Sequence, residues 1–278
     1  MSDLLAKVSP SKLGMFGRCQ YQFLRHYVMG ENKPPSIALA FGSAFDIGSG
    51  AMLSDGISMG KVGPVSVGQD AFALAWGWEK ERVADWEGED PGKLEDQGVR
   101  LVAHWREEAC HGLVPLASQE RFEVPLLPGL ALEGVLDGRI VREDKERVLE
   151  IKTAGKPWRT REARAKGAIP TKAMQSLQAP AYTLAATVRK GAPVTTCEFH
   201  VGARGGKSDI DCIPMEVSQA AMRGYTLMVA RMKEQASECM RTGTFLPTAM
   251  MCGHFLCSKK FCGWWRECVA EFGGERPD

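Results

Sequence analysis

Apolar residues recur with a helical period in the first part of the chain and with a strand-like period in the middle. Helical spacing predicts four helices near residues 11–29, 37–53, 69–86 and 91–111. Short apolar or alternating runs bounded by turn residues predict strands at 118–127, 131–141 and 148–153. Further along, the same criteria predict a helix at 173–189, strands at 195–201 and 210–216, and a long amphipathic helix at 218–241. The tail beyond this helix has little periodicity and is dense in Cys and Trp.

The order of these elements predicts the fold class. Several helices, three consecutive strands, a helix, two strands and a helix are typical of an α/β (α+β) fold with a mixed central sheet flanked by helices. The chain has 278 residues, 44% of them hydrophobic, which is enough for one large core. We therefore predict a single domain over 1–278, with a helical N-terminal part at 1–115, a core at 116–217, and a long helix with a Cys-rich tail at 218–278.

Charge and cysteine content narrow the class of protein. The net charge is only +1, so any nucleic-acid surface must be a local patch. Neither a signal peptide nor a membrane-spanning stretch is visible, which predicts a cytoplasmic protein without a membrane partner. In a reducing compartment, nine cysteines favour metal binding over disulfides.

Two carboxylates and a lysine occupy adjoining predicted strands. Glu150 and Lys152 are two residues apart, so both side chains point to one face of their strand. The turn near residues 143–145 folds the preceding strand back antiparallel, which can bring Asp137 beside Glu150. Adjacent carboxylates are costly without a cation, and they are the hard oxygen ligands that Mg²⁺ or Mn²⁺ takes. The pattern predicts a metal site that activates water for phosphodiester hydrolysis, with the carbonyl of Ile151 as a further ligand.

Alternating charge is also typical of a solvated strand face, so the strand motif alone decides little. The full set of motifs is larger, because a G-x-x-D segment (134–137), a hairpin, E-x-K-T (150–153) and Q-x-x-x-Y (178–182) follow one another. This order resembles the RecB-like PD-(D/E)XK nucleases, including CRISPR-associated and phage-encoded members, from about residue 9 to residue 268. The resemblance implies a restriction-endonuclease-like fold and a Mg²⁺- or Mn²⁺-dependent nuclease. In such a site Asp137 and Glu150 would bind metal and Lys152 would be catalytic. Gln178 and Tyr182 would shape the DNA-facing edge.

One position departs from the family pattern. These nucleases commonly carry a histidine in a G-x-x-x-H motif on an early helix as an additional metal ligand, and residues 42–46 match the motif with Asp46 in the histidine's place. A carboxylate is the harder ligand for Mg²⁺, so we predict that Asp46 binds metal. Alternatively, Asp46 is an ordinary polar helix residue and the site is weakened. Glu120, on the strand before Asp137, is a further candidate for charge near the site.

Cysteines crowd the C-terminal tail, and one stands near the N-terminus. The family resemblance implies a [4Fe–4S] cluster that joins the two ends of the chain, held by Cys19, Cys257, Cys262 and Cys268. Four thiolates could equally hold tetrahedral Zn²⁺, or the cysteines could be small buried thiols without metal. Cys252 and His254 are additional candidate ligands.

A run of basic residues directly follows the strand of Glu150. Residues 156–166 contain five basic residues, one acidic residue and Trp158, whose ring could stack on a base. The run predicts either an electrostatic contact with the DNA backbone or a solvated surface loop. Further candidates for the same surface are Arg204, Lys207, Lys259 and Lys260.

The resemblance predicts an exonuclease that acts on DNA ends in bacterial or phage recombination, replication or repair, in the cytoplasm of a bacterial or phage-infected cell. Its partner proteins would be a recombinase, a single-strand-binding protein or a helicase, because the chain lacks a Walker motif of its own. A structure-specific endonuclease is one alternative. The other is a catalytically weakened nuclease fold that serves as a DNA-binding or interaction subunit.

Overall fold

A computed structural model of the chain describes residues 4–205, 209–247, 257 and 262–273. The chain divides into two compact units. The first consists of Met1–Lys33, Glu123–Glu133 and Arg223–Asp278, and the second of Pro34–Phe122 and Gly134–Met222. The predicted single domain over 1–278 stays a prediction.

Three long helices build one side of the core of the second unit: α3 (Ile37–Gly56), α4 (Val65–Lys80) and α5 (Pro91–Glu108). The side chains of Ser36 and Asp90 accept hydrogen bonds from the first-turn backbone N–H groups of α3 and α5, which explains where these helices begin. A Cβ atom at Gly48 would lie 2.8 Å from the carbonyl oxygen of Gly68, so α3 and α4 can approach closely only with glycine there. Among the described helices, only α3 is long and apolar enough to cross a membrane, and 56% of its apolar window is buried in the core.

The strands form one mixed sheet in the order β1-β3-β4-β5-β6, with β2 also paired to β3. Their bounds are β1 (Lys7–Val8), β2 (Val114–Leu127), β3 (Leu130–Arg142), β4 (Lys145–Ala154), β5 (Thr196–Ala203) and β6 (Asp209–Glu216). β4 runs antiparallel to β3 and parallel to β5, and β6 is antiparallel to β5. Glu143 and Asp144 connect β3 to β4 with φ angles of 53° and 57°, as a tight two-residue hairpin turn requires. Every strand of the predicted set is present, so the predicted mixed sheet flanked by helices is confirmed.

Shorter helices follow β4 in the second unit: α6 (Arg161–Ala165), α7 (Thr171–Met174) and α8 (Gln178–Lys190). The single helix predicted at 173–189 is therefore two helices. α8 ends at Gly191, whose φ of 69° is the left-handed conformation typical of a helix C-terminus.

The first unit contains the N-terminal helices α1 (Pro10–Arg18) and α2 (Gln20–Phe23), the π-helical turn Leu24–Val28, α9 (Gln219–Thr242) from Arg223 onwards, and the C-terminal helix α10 (Trp265–Phe272). Sequence periodicity predicts one helix up to about residue 29, but the chain is extended at Cys19 and breaks it there. Phe16, Phe23 and Phe245 pack with α9 in the core of this unit. The sequence did not predict α10, because its 8 residues are too few to show a helical repeat of apolar positions.

Candidate active site

The hairpin of β3 and β4 places two acidic residues side by side in the second unit. The backbone N–H of Ile151 donates a hydrogen bond to Oδ2 of Asp137 at 2.7 Å, which fixes the Asp137 carboxylate next to Glu150. Glu150 has 0% of its surface exposed. Its Oε1 atom contacts the ammonium group of Lys152, and its Oε2 atom receives no hydrogen bond from the residues that the structure describes. A buried carboxylate oxygen without a donor is costly, and a bound cation would satisfy it.

A third carboxylate, that of Asp46 on α3, interacts electrostatically with Asp137 and Glu150. Asp46 is half-buried, and both of its carboxylate oxygens accept hydrogen bonds from Nε2 of Gln119, at 3.0 and 3.1 Å. The negative charge of Asp137 raises the pKa of Asp46, and Asp46 in turn raises the pKa of Glu150. The charges of the three carboxylates therefore influence one another, and the metal-binding role of Asp46 stays a prediction.

Burial and mutual repulsion shift the titration of this group. Burial, followed by the charge of Asp137, raises the pKa of Asp46 to about 7 and that of Glu150 to about 8. Burial also raises the pKa of Asp137, although Lys152 and the Ile151 N–H oppose the shift. For Lys152, burial alone lowers the pKa, but Glu150 and Asp137 raise it above its ordinary value. Without a metal, the raised pKa values therefore favour protonated carboxyl groups near neutral pH, and Lys152 keeps its positive charge.

The donor set is chemically suited to a hard divalent cation. Asp46, Asp137 and Glu150 carry the hard carboxylate oxygens that Mg²⁺ and Mn²⁺ take as ligands. As the described side chains stand, no group of three or more His, Cys, Asp or Glu residues could hold a metal ion. The Lys152 ammonium, which contacts Glu150, supplies the positive charge in this arrangement. The carbonyl of Ile151 as a metal ligand stays a prediction.

Gln119 is a site residue that the sequence does not reveal. Its φ of 48° lies in the left-handed region, which is unusual for a non-glycine residue within a strand. As a result two consecutive side chains turn towards α3: Ser118 Oγ donates to the carbonyl of Gly50 at 2.8 Å, and Gln119 reaches Asp46. Glu120, predicted as added charge near the site, instead forms ion pairs with Arg139 and Arg189.

Gln178 and Tyr182 lie on the first turns of α8. Nε2 of Gln178 donates to the Tyr182 hydroxyl at 3.2 Å, and the Tyr182 ring packs edge-on against Phe122 with centroids 5.7 Å apart. A Cβ atom at Gly134 would lie 2.7 Å from the Phe122 ring, which explains the glycine of the G-x-x-D segment. The spacing of four residues in Q-x-x-x-Y therefore corresponds to a hydrogen-bonded pair on one face of a helix.

Three of the four predicted cluster cysteines lie together in the first unit. Cys19, Cys262 and Cys268 belong to one buried group with Tyr21 and Trp264. Burial raises the pKa of Cys262, as do the neighbouring thiols of Cys19 and Cys257, while Nε2 of Gln22 donates to its Sγ at 3.2 Å. The other two candidates, at positions 252 and 254, lie outside the described residues.

Paired carboxylates and a lysine on adjoining strands of a mixed sheet, backed by helices, define a nuclease of the restriction-endonuclease type. The family model for the PD-(D/E)XK nuclease superfamily matches residues 7–209, and the chain belongs to this superfamily, whose members hydrolyse phosphodiester bonds. Among solved structures, the chain is similar to a protein described as a putative exonuclease from Eubacterium rectale. The TM-score is 0.59 at 12% identity, over 94% of this chain and 88% of that one. No curated protein matches the sequence.

Proposed function

We propose that the protein is a Mg²⁺- or Mn²⁺-dependent deoxyribonuclease that degrades DNA from its ends. The observation that carries the proposal is the fully buried Glu150, whose Oε2 atom receives no hydrogen bond from the described residues, beside Asp137 and Lys152. The exonuclease mode is supported by the description of the similar E. rectale protein. The RecB-like resemblance supports a role in bacterial or phage recombination, replication or repair, with a recombinase, single-strand-binding or helicase partner.

Each side chain of the site has a role in this reaction. Asp46, Asp137, Glu150 and the carbonyl of Ile151 would hold the metal, which when bound supplies an activated water and a Lewis acid for the phosphate. The Lys152 ammonium orients the attacking water and offsets negative charge on the phosphate. Gln119 holds the Asp46 carboxylate in position through both of its oxygens. Gln178 and Tyr182 present a hydrogen-bonded pair to the substrate strand.

Removing a carboxylate or the lysine should abolish cleavage. Asp137→Ala, Glu150→Ala and Lys152→Ala should each slow Mg²⁺- or Mn²⁺-dependent DNA hydrolysis by at least about 100-fold, the scale of one electrostatic catalytic contact. The measurement is gel-based cleavage by variants whose fold is checked by circular dichroism. Asp144→Asn is the matched control, because Asp144 is an exposed carboxylate in the turn of the same hairpin and asparagine tolerates its left-handed φ. Wild-type rates in any of the three variants would remove that residue from the mechanism.

The mode of cleavage is tested with four substrates: free-ended and end-blocked DNA, each single- and double-stranded, assayed with Mg²⁺, Mn²⁺ or EDTA. The proposal expects degradation of free-ended DNA only, and only with metal. Cleavage of end-blocked DNA would favour the structure-specific endonuclease. Binding without cleavage in every condition would favour the catalytically weakened DNA-binding subunit.

We also propose that Cys19, Cys257, Cys262 and Cys268 bind a [4Fe–4S] cluster that ties the N-terminal helices to the C-terminal tail. Support comes from the packing of Cys19, Cys262 and Cys268 in one group and from the Cys257 thiol, which raises the pKa of Cys262. Four thiolates suit such a cluster, and Zn²⁺ is the alternative occupant. The role would be structural.

Protein purified without oxygen should be brown, absorb broadly near about 400 nm, and contain iron. Cys→Ala at any of the four positions should lower the melting temperature and the iron content. Cys239→Ala is the control, because this cysteine packs elsewhere in the first unit. Colourless protein with neither iron nor zinc would contradict a metal centre, and zinc without iron would replace the cluster by the zinc alternative.

A further inference from the structure

A cavity near the end of β4 is lined by the basic run that follows this strand. It has a volume of about 700 Å³ and lies within the second unit. Lys156, Trp158 and Arg161 come from the run, and His104 and Glu108 come from the last turns of α5. A cavity of this volume is large enough for a nucleotide.

Two arginines of the basic run form ion pairs that fix the run against the sheet. Arg159 binds Asp211 on β6 through its backbone N–H, Nε and Nη2, at 3.1, 3.0 and 2.7 Å. Arg164 makes a two-pronged contact with Asp209, at 2.8 and 2.6 Å. Asp211 is 1% exposed, so the ion pair between Arg159 and Asp211 is buried and anchors the run to the sheet. The charges of Arg159 and Arg164 are therefore neutralised by the protein itself.

Two cations of the run are left to face a ligand. Lys156 and Arg161 line the cavity, are exposed, and form no ion pair with any residue in the described part of the chain. Lys166, the fifth basic residue of the run, does not line the cavity and pairs with Glu162 at 2.6 Å. The cavity thus combines two uncompensated cations with the carboxylate of Glu108 and the imidazole of His104. Cations recognise phosphate, and a carboxylate accepts hydrogen bonds from amino or hydroxyl groups.

One residue that lines the cavity is linked to the strand that bears Glu150. The ring of Trp158 packs against Phe199 with centroids 5.8 Å apart, and Phe199 is the partner of Glu150 across β4 and β5. The Lys172 ammonium lies over the Trp158 ring, 6.0 Å from the ring centroid. Trp158, which lines the cavity, therefore contacts the residue that is paired with Glu150.

We propose that this cavity binds one nucleotide of the DNA strand, with its phosphate between Lys156 and Arg161 and its nucleoside towards Glu108 and His104. The proposal rests on the proposed nuclease function, since the strand held here is the one that is cleaved. It assigns the basic run to substrate binding and divides it into two anchoring arginines and two ligand-binding cations. It also makes the cavity a specificity element separate from the metal-binding carboxylates.

The test is equilibrium binding of a labelled single-stranded oligonucleotide in EDTA, which separates binding from cleavage. Lys156→Ala and Arg161→Ala should each weaken binding several-fold and lower the salt dependence of log Kd by about 0.7, the value for one phosphate contact on single-stranded DNA. Lys166→Ala is the matched control, because it removes the same charge from the same run outside the cavity. It should bind as the wild type does.

Cleavage kinetics with metal then separate the two proposals. Lys156→Ala and Arg161→Ala should raise KM and leave kcat close to the wild-type value, as expected for a binding residue. If the wild type binds but never cleaves, and the two variants still lose affinity, the nuclease proposal fails and the cavity proposal stands. Wild-type affinity in both variants, or an equal loss in Lys166→Ala, overturns the cavity proposal.

Discussion

At the scale of single residues, the site is governed by the cost of burying negative charge. The side chain of Glu150 is fully buried. Its charged neighbours are the carboxylates of Asp46 and Asp137 and the ammonium group of Lys152. Such an arrangement stabilises a folded protein only when protons or a cation compensate the charge. The local chemistry thus opposes stability and favours metal binding, as expected of a functional site.

Gln119 gives a prediction at this scale. Its amide holds both oxygens of Asp46 and lowers the pKa of that carboxyl against the effects of burial and Asp137. Gln119→Ala should therefore make Asp46 harder to ionise, shift the pH dependence of cleavage towards higher pH, and raise the Mn²⁺ concentration needed for half-maximal rate. Ser118→Ala is the control, since the Ser118 hydroxyl donates to the backbone carbonyl of Gly50 on α3. An unchanged pH profile and metal requirement would show that Gln119 does not position Asp46.

Residue-level chemistry could be read from the sequence only where local spacing fixes geometry. Period-two alternation places Glu150 and Lys152 on one face, and the Gln178–Tyr182 spacing gives a helical pair. Gln119 could not be found this way, because its role depends on a left-handed backbone angle within a strand. The buried pair of Arg159 and Asp211 joins residues 52 positions apart, so only the tertiary fold reveals it.

At the scale of elements, β5 carries a buried ionic network on the face that packs against α5. Glu198 is 1% exposed and binds Arg142 at 2.5 Å, Arg147 at 2.8 Å and Nε2 of His200 at 2.8 Å. The indole N–H of Trp105 on α5 donates to the other ring nitrogen of His200 at 3.0 Å. Burial raises the pKa of Glu198, but His200 and the two arginines lower it to about 2. The network therefore joins β5 to β3 and β4 through the two arginines, and to α5 through His200.

Glu198→Ala should destabilise the protein by about 3–5 kcal/mol, because it removes the buried carboxylate that Arg142 and Arg147 share. Chemical denaturation followed by circular dichroism measures this change in the free energy of unfolding. Glu162→Ala removes an exposed carboxylate from a surface ion pair and should leave stability almost unchanged. If the two variants have equal stability, the network does not connect β5 to its neighbours in the way described.

The sequence predicted the type of most helices and strands better than it predicted where they begin and end. The three central strands and the long helices arise where their periods indicate, because each buries one continuous apolar face. The break at Cys19 and the separation of α7 from α8 were not predictable, since no glycine marks either point and tertiary packing decides them. α10 is only eight residues long, too short for its period to stand out in an aromatic-rich tail.

At the scale of the whole molecule, the ionisation of the site carboxylates affects both the stability of the protein and its binding of metal. The pKa of Asp46 is raised from 3.8 to about 7 and that of Glu150 from 4.5 to about 8 in the folded protein. A raised folded-state pKa contributes stability that is fully present below the unfolded-state value and is lost as pH rises through the folded-state value. Metal-free protein should thus lose stability between about pH 4 and about pH 8 from this group. A cation that binds the ionised carboxylates reverses the loss.

The most direct test of the central claim, that these buried carboxylates form a divalent-metal site, is the melting temperature in EDTA and in Mn²⁺ across this pH range. We expect the melting temperature in EDTA to fall as pH rises, and the increase caused by Mn²⁺ to grow with pH. In Glu150→Gln, which keeps the shape but cannot ionise, both effects should be much smaller. A melting temperature that Mn²⁺ does not change at any pH, or a Glu150→Gln variant that behaves as the wild type, would contradict the metal site.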